Sequence, residues 1–386
     1  MNFFDKVNLK KNDALRRGKQ IFDFSVGDPD LLPPHQVKDI LIESLELRNI
    51  FSYPEIYGEK AFILQIQDWF HKMYSVTLSM ESEILPLLGV KEGITHLALG
   101  MLEVGDLAGY VTPSYPIYEQ AIRLAKATPI QIDSSADYGY LPDLFQVEQA
   151  AIKGMKLLYL NYPHNPTGAV LTKGYCKVIL ELAQKYNFKI CLDCVYSRID
   201  PFQQYDHFSI LSMPEAISHC IEFYSFSKNY NLPGIRLGFA AGNAEMITSL
   251  KRVKTNVDVS AFKMVQYLCG ALLELEYSGD LEDYFRQNNS IYKNRIRVVQ
   301  KVLNETGCTT FPSSATFYVW FRTPNSYDDQ QFSENLYERH GVLIVPGSEF
   351  GSGAQGWLRI SATQPEVVLS QGIEAIRDMI KVRKGS

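Results

Sequence analysis

Apolar residues fall on one face of a helix in "HQVKDILIESLELRN", where Val37, Ile40, Leu41 and Leu45 recur three to four positions apart. The same period predicts helices at 59–74, 91–102, 116–126, 172–186, 243–254 and 260–275. Between them lie short apolar runs: "EILPLLG", "LAGYVT", "PIQID", "KLLYLN", "FKICLD", "IEFYSF" and "IRLGFAA". Such alternation predicts an α/β fold with a mainly parallel central sheet covered on both faces. After about residue 276 the pattern changes to a long helical stretch (281–304), "ATFYVWFRT", a helix at 330–340, "VLIVPG", "WLRISAT" and a closing helix from 366. That half reads as a smaller α+β unit joined by the N-terminal segment. The expected division is a large domain over 45–275 and a small domain made of 1–44 and 276–386.

Composition narrows the function classes. The chain has 386 residues, 46% apolar and 21% charged, enough to bury a large core. A net charge of −5 lacks the basic face of a general nucleic-acid binder, and no apolar run is long enough to span a bilayer. The opening "MNFFDKVNLKKNDALRRGKQ" lacks the apolar stretch of a secretory leader, so the reading is a cytoplasmic protein. Six cysteines (176, 191, 194, 220, 269 and 308) show no framework spacing and are expected reduced and buried. Cys191 and Cys194 have C-x-x-C spacing, but residues three apart on a strand face opposite sides, which favours packing. No metal is expected, since the histidines show no ligand spacing.

Four segments end predicted strands, where ligand sites of open α/β sheets form. "LLGVKEG" offers a tight glycine turn and helix amides suited to phosphate, although such turns are common in any α/β protein. "NYPHNPTGA" is a rigid polar turn, which turn-forming residues alone also explain. In "LDCVYS", Asp193 ends an apolar strand as either a helix cap or the partner of a buried cation. The fourth segment is "YSFSKNYNLPGIRLG". A lysine is usually solvated, but Lys228 follows a strand going inward, and desolvation with nearby cations favours the neutral nucleophile. Ser225, Ser227 and the Arg236 fork suit a phosphate dianion, and Pro233–Gly234 turns the chain back towards Ser225. Arg359, between Leu358 and Ile360, is costly on an apolar strand unless an anion meets it.

In this order and at these separations, the segments resemble the class I/II aminotransferases, pyridoxal-phosphate (PLP) enzymes of fold type I. The resemblance runs from "DFSVGDPD" to "WLRISAT". It implies that Lys228 forms the Schiff base and shuttles a proton, with Asp193 against the pyridine nitrogen. It places Asn165 and Tyr196 on the phenolic oxygen, and Tyr115 of "TPSYPIY" on the ring face. Ser225, Ser227, Arg236 and the amides of Val90 and Lys91 take the phosphate. Tyr53, in "FSYPEIYG", matches a tyrosine that reaches the phosphate of a neighbouring subunit, which implies a homodimer. Arg359 clamps the substrate α-carboxylate, with Asn165 and the Gly27 backbone beside it.

The implied activity moves an amino group from an L-amino acid to a 2-oxo acid through pyridoxamine phosphate. The similarity is greatest to the branch with LL-diaminopimelate and alanine/glutamate-type aminotransferases. The alternative is a PLP-dependent lyase or cyclase, which uses the same lysine, aspartate and clamp. A PLP-binding DNA regulator fits poorly, with about 20 residues before the first strand and a pI near 5.9. "GSGAQG" fits G-x-G-x-x-G but precedes a strand, so it reads as a flexible loop permitting closure of the small domain. His164 reads as a satisfied neighbour of the site.

Overall fold

The computed structural model describes residues 3–324 and 328–382. Its strands are β1 (Phe22–Asp23), β2 (Ile84–Leu87), β3 (Leu107–Thr112), β4 (Thr128–Asp133), β5 (Met155–Asn161), β6 (Lys189–Asp193), β7 (Cys220–Ser225) and β8 (Gly238–Gly242). They continue with β9 (Thr309–Thr310), β10 (Tyr318–Arg322), β11 (Val342–Leu343), β12 (Val345–Pro346) and β13 (Trp357–Ser361). Each of the seven apolar runs became a strand of one sheet, ordered β2-β8-β7-β6-β5-β3-β4. Within it β8 runs antiparallel to both neighbours and the other six share one direction.

Both faces of this sheet are covered, which is why its strands carry continuous apolar runs. Leu157, Cys191 and Phe223 pack with residues of helices Val90–Met101 and Ala244–Val257. Leu158, Leu160 and Ile190 pack on the other side with residues of helices Lys60–Tyr74, Lys173–Tyr186 and Lys263–Tyr277. Cys191 and Cys194 fall in these two different layers, and all six cysteines are buried, with no disulfide among the described residues. Asn161, Asp193 and Ser225 end adjacent parallel strands at one edge of the sheet.

The smaller sheet, β12-β13-β10-β9, is antiparallel. It packs on helices Glu282–Glu305, Asp329–His340 and Glu366–Val382 through Val319, Ile296, Leu336 and Ile373. The N-terminal segment joins it: β1 pairs parallel with β11, Phe24 enters that core, and Arg295 holds Asp30 with two bonds of 2.7 and 2.8 Å.

Three α-helices were not anticipated, one of them the four-residue Phe226–Asn229 that follows β7. Phe3–Arg16 is too polar to stand out, and Leu144–Ile152 is announced mainly by its cap, where Asp143 accepts from the N–H groups of Phe145 and Gln146. The glycine-rich segment 351–356 is hydrogen-bonded to the large sheet. Thr112 Oγ1 donates to the Ser352 carbonyl (3.0 Å), Ser352 Oγ donates to Gln131 Oε1 (2.6 Å), and the Ser114 N–H donates to the Phe350 carbonyl (2.8 Å). The segment is therefore pinned against the large sheet. No described helix is long and apolar enough to cross a membrane.

Candidate active site

A cavity of about 360 Å³ opens at the edge where β5, β6 and β7 end. Every predicted site residue lines it except Tyr53, which is 88% exposed. Tyr118, Asn161 and Tyr318 line it too.

At one end the chain builds an anion cradle. Gly89 caps helix Val90–Met101 at φ +88°, and a Cβ there would lie 2.5 Å from Arg236 Nη2. Glycine is thus required both for the turn and for the approach of the guanidinium. The first-turn amides of Val90 and Lys91 have no intrahelical acceptor, and the helix dipole favours an anion there. Arg236 is itself left-handed (φ 53°), and its Nη1 donates to the Pro233 carbonyl at 2.9 Å. Ser225 ends β7 and caps the short helix Phe226–Asn229, its hydroxyl accepting from the Ser227 N–H at 3.1 Å.

Lys228 sits on that short helix. Its Nζ donates to the Gly27 carbonyl at 2.5 Å and lies 3.9 Å from Asp28. Burial, reinforced by the charges of Arg236 and Arg359, outweighs Asp28 and lowers the amine to about 8. Gly27 must be glycine, since a Cβ would meet the Tyr318 hydroxyl at 2.0 Å.

Asp193 is buried, and burial raises its carboxyl to about 6 although two donors oppose this. Tyr118 donates to its Oδ2 at 2.7 Å and the Val195 N–H to its Oδ1 at 3.2 Å. At the small-sheet wall, Arg359 reaches in from β13. Its Nη1 donates to Asn165 Oδ1 (2.8 Å), its Nη2 to the Ser25 carbonyl (2.5 Å), and its buried Nε has no hydrogen-bond partner among the described residues. The guanidinium lies over the rings of Tyr318 and Phe350. Tyr196 and Tyr318 share a hydroxyl contact of 2.9 Å, and Asn165 Nδ2 is 3.5 Å from the Tyr196 hydroxyl. His164 lies outside the lining. Its Nδ1 meets Thr167 Oγ1 at 2.7 Å, and burial pushes it down to about 3, so it stays neutral.

Sequence reasoning missed Tyr118 and Tyr318. Tyr118 lies three residues after Tyr115 in "TPSYPIY", yet a second tyrosine there is indistinguishable from packing. Tyr318 sits in "ATFYVWFRT", which reads as core. Asn161 opens the turn already noted, where its Oδ1 accepts the Asn165 N–H at 3.0 Å.

The fold and cavity set a desolvated, low-pKa amine, a buried carboxylate and a helix N-terminus around one pocket. The family description for aminotransferase class I and II fits residues 19–376, and the chain belongs to that family. Within it, the chain is 33% identical to LL-diaminopimelate aminotransferase of Aquifex aeolicus, over 97% of this chain and 96% of that one. A substrate-bound BacF structure from Bacillus subtilis superposes with a TM-score of 0.90 at 30% identity, covering 97% and 94% of the two chains. A probable N-succinyldiaminopimelate aminotransferase from Thermus thermophilus gives 0.88 at 32%, covering 97% and 99%. The protein is accordingly a fold type I, PLP-dependent aminotransferase acting on amino acids and 2-oxo acids, and elimination or ring closure is not favoured. The residues present fit PLP: the glycine cradle that a Cβ would fill, a desolvated amine and a buried carboxylate share one cavity.

Proposed function

We propose that Lys228 is the amine that engages the cofactor aldehyde and carries the substrate α-proton. The carrying observation is that Lys228, lowered to about 8, shares a cavity with a buried carboxylate and with an arginine whose hydrogen-bond partners among the described residues are all uncharged. Bound there, PLP supplies an electron-withdrawing ring that acidifies the α-proton. Asp193 holds the ring nitrogen, Tyr115 covers the ring face, and Asn165 and Tyr196 hold the phenolic oxygen. Val90, Lys91, Ser225, Ser227 and Arg236 hold the phosphate. Arg359 presents both Nη atoms to the substrate α-carboxylate beside Gly27, exchanging neutral acceptors for an anion.

The amino donor in this reading is LL-diaminopimelate, in keeping with the relatives' names. The molecule works in the cytoplasm as a homodimer, with Tyr53 serving the partner's phosphate site. Exposed Phe51, Ile56, Val257 and Phe262, with Phe51 and Phe262 stacked at 6.2 Å, offer a face for a second copy. A large domain (45–275) and a small one (1–44 with 276–386) meet at the cavity.

Borohydride reduction of the PLP-loaded enzyme followed by peptide mapping tests the assignment. Attachment at Lys228 supports it, and attachment at another lysine refutes it. A donor panel scored by 2-oxo acid release tests the substrate. A higher kcat/KM for aspartate, alanine or an aromatic amino acid than for LL-diaminopimelate rejects that choice.

A further inference from the structure

Tyr118 lines the cavity, yet its polar atom is committed to the wall. Its hydroxyl donates to Asp193 Oδ2 at 2.7 Å, and its buried ring packs 5.7 Å from that of Tyr159. Tyr159 is fixed in turn, its hydroxyl donating to the Ile94 carbonyl at 2.9 Å. The Asp193 backbone is held from the other side, where its carbonyl accepts from Asn161 Nδ2 (3.0 Å) and the Tyr162 N–H (3.1 Å). Each carboxylate oxygen thus has one fixed donor, and an ionised carboxylate has further lone pairs to offer the cavity.

The geometry points to Tyr118 as a positioning residue for the cofactor ring, fixing the plane and charge of the Asp193 carboxylate that holds the ring nitrogen. This rests on the reading of Asp193 given above. The phenol is a constant donor, because burial and the charge of Asp193 keep its pKa well above the ordinary value. Donation to a buried carboxylate stabilises the ionised form, which burial alone disfavours. Tyr118→Phe keeps the ring packing on Tyr159 and removes only this donor.

The test measures dissociation constants of the full-length apoenzyme for PLP and for 1-deaza-PLP, whose ring carries C–H in place of nitrogen. Tyr118→Phe is expected to weaken PLP roughly tenfold while leaving the analogue within about twofold, because the analogue gives Asp193 nothing to hold. Equal weakening of both ligands, or of neither, overturns the inference and leaves Tyr118 a packing residue. Asp193→Ala, which leaves no side-chain group able to bond a pyridine nitrogen, separates the underlying reading. If this variant still prefers PLP over the analogue, Asp193 does not meet the ring nitrogen, whatever Tyr118 does. Tyr118→Met, which fills the space without a donor, serves the same comparison should Tyr118→Phe fail to fold.

Discussion

Two buried cations are treated in opposite ways. Lys254, 1% exposed, donates to Glu92 Oε1 at 3.1 Å and Asp258 Oδ1 at 2.5 Å, with His96 Nδ1 2.9 Å from Glu92. Arg359, 2% exposed, meets only an amide oxygen, a backbone carbonyl and two aromatic faces. Among the described residues it has no ion pair. Both side chains bear a desolvation cost, which a well-placed counter-charge offsets. A cation supplied with its own anions needs no ligand; one left short of them has room for an anion. The acidic cluster Glu92, His96 and Asp258 gathers as metal ligands do, but the ammonium of Lys254 already stands there.

The largest expected effect is at the amine itself. Lys228→Ala should abolish borohydride-trappable PLP and lower transamination by at least about 10³-fold, read by mass spectrometry and 2-oxo acid release. The contrast between the two cations comes next. Lys254→Met should cost about 2–3 kcal/mol of stability in denaturant unfolding, because the part-buried Glu92 and Asp258 lose their cation. Arg359→Met should leave the apoenzyme as stable as the parent or more so, while kcat/KM falls roughly 10²-fold through loss of a bidentate carboxylate contact. A large stability loss at Arg359 with unaltered kinetics would break the comparison.

Asp193 sharpens it further. Its carboxyl moves from 3.8 to about 6, so ionisation in the apoenzyme costs about 3 kcal/mol at ~1.4 kcal/mol per pH unit. With the folded-state value raised, the relative stability is complete below pH 3.8 and is lost as pH rises through 6. Asp193→Asn should therefore stabilise the apoenzyme above pH 6 and hardly at all near pH 4, as read by thermal melts. The smallest effect is kinetic: capture of PLP by the apoenzyme should rise about tenfold per pH unit up to about 8 and then level off, as Lys228 loses its proton. A plateau already reached at pH 6, or a rise continuing past 10, would place the amine in another environment.

The features legible along the chain were local or periodic. Seven apolar runs became seven strands, because a strand buried on both faces must be apolar throughout. The cradle and the amine were legible because Ser225, Ser227, Lys228 and Arg236 share one strand-turn segment, whose own backbone brings them together. Arg359 betrayed itself by its cost on an apolar strand. Tertiary structure alone decided the rest. Tyr118 reaches Asp193 across 75 positions and Tyr196 meets Tyr318 across 122, and each looks in sequence like any buried tyrosine. Gly27 is fixed by a hydroxyl from β10, and the glycine-rich loop is held by β3 and β4. Periodicity records which side of an element is dry; which remote side chains then touch depends on strand order and packing, which no local pattern encodes.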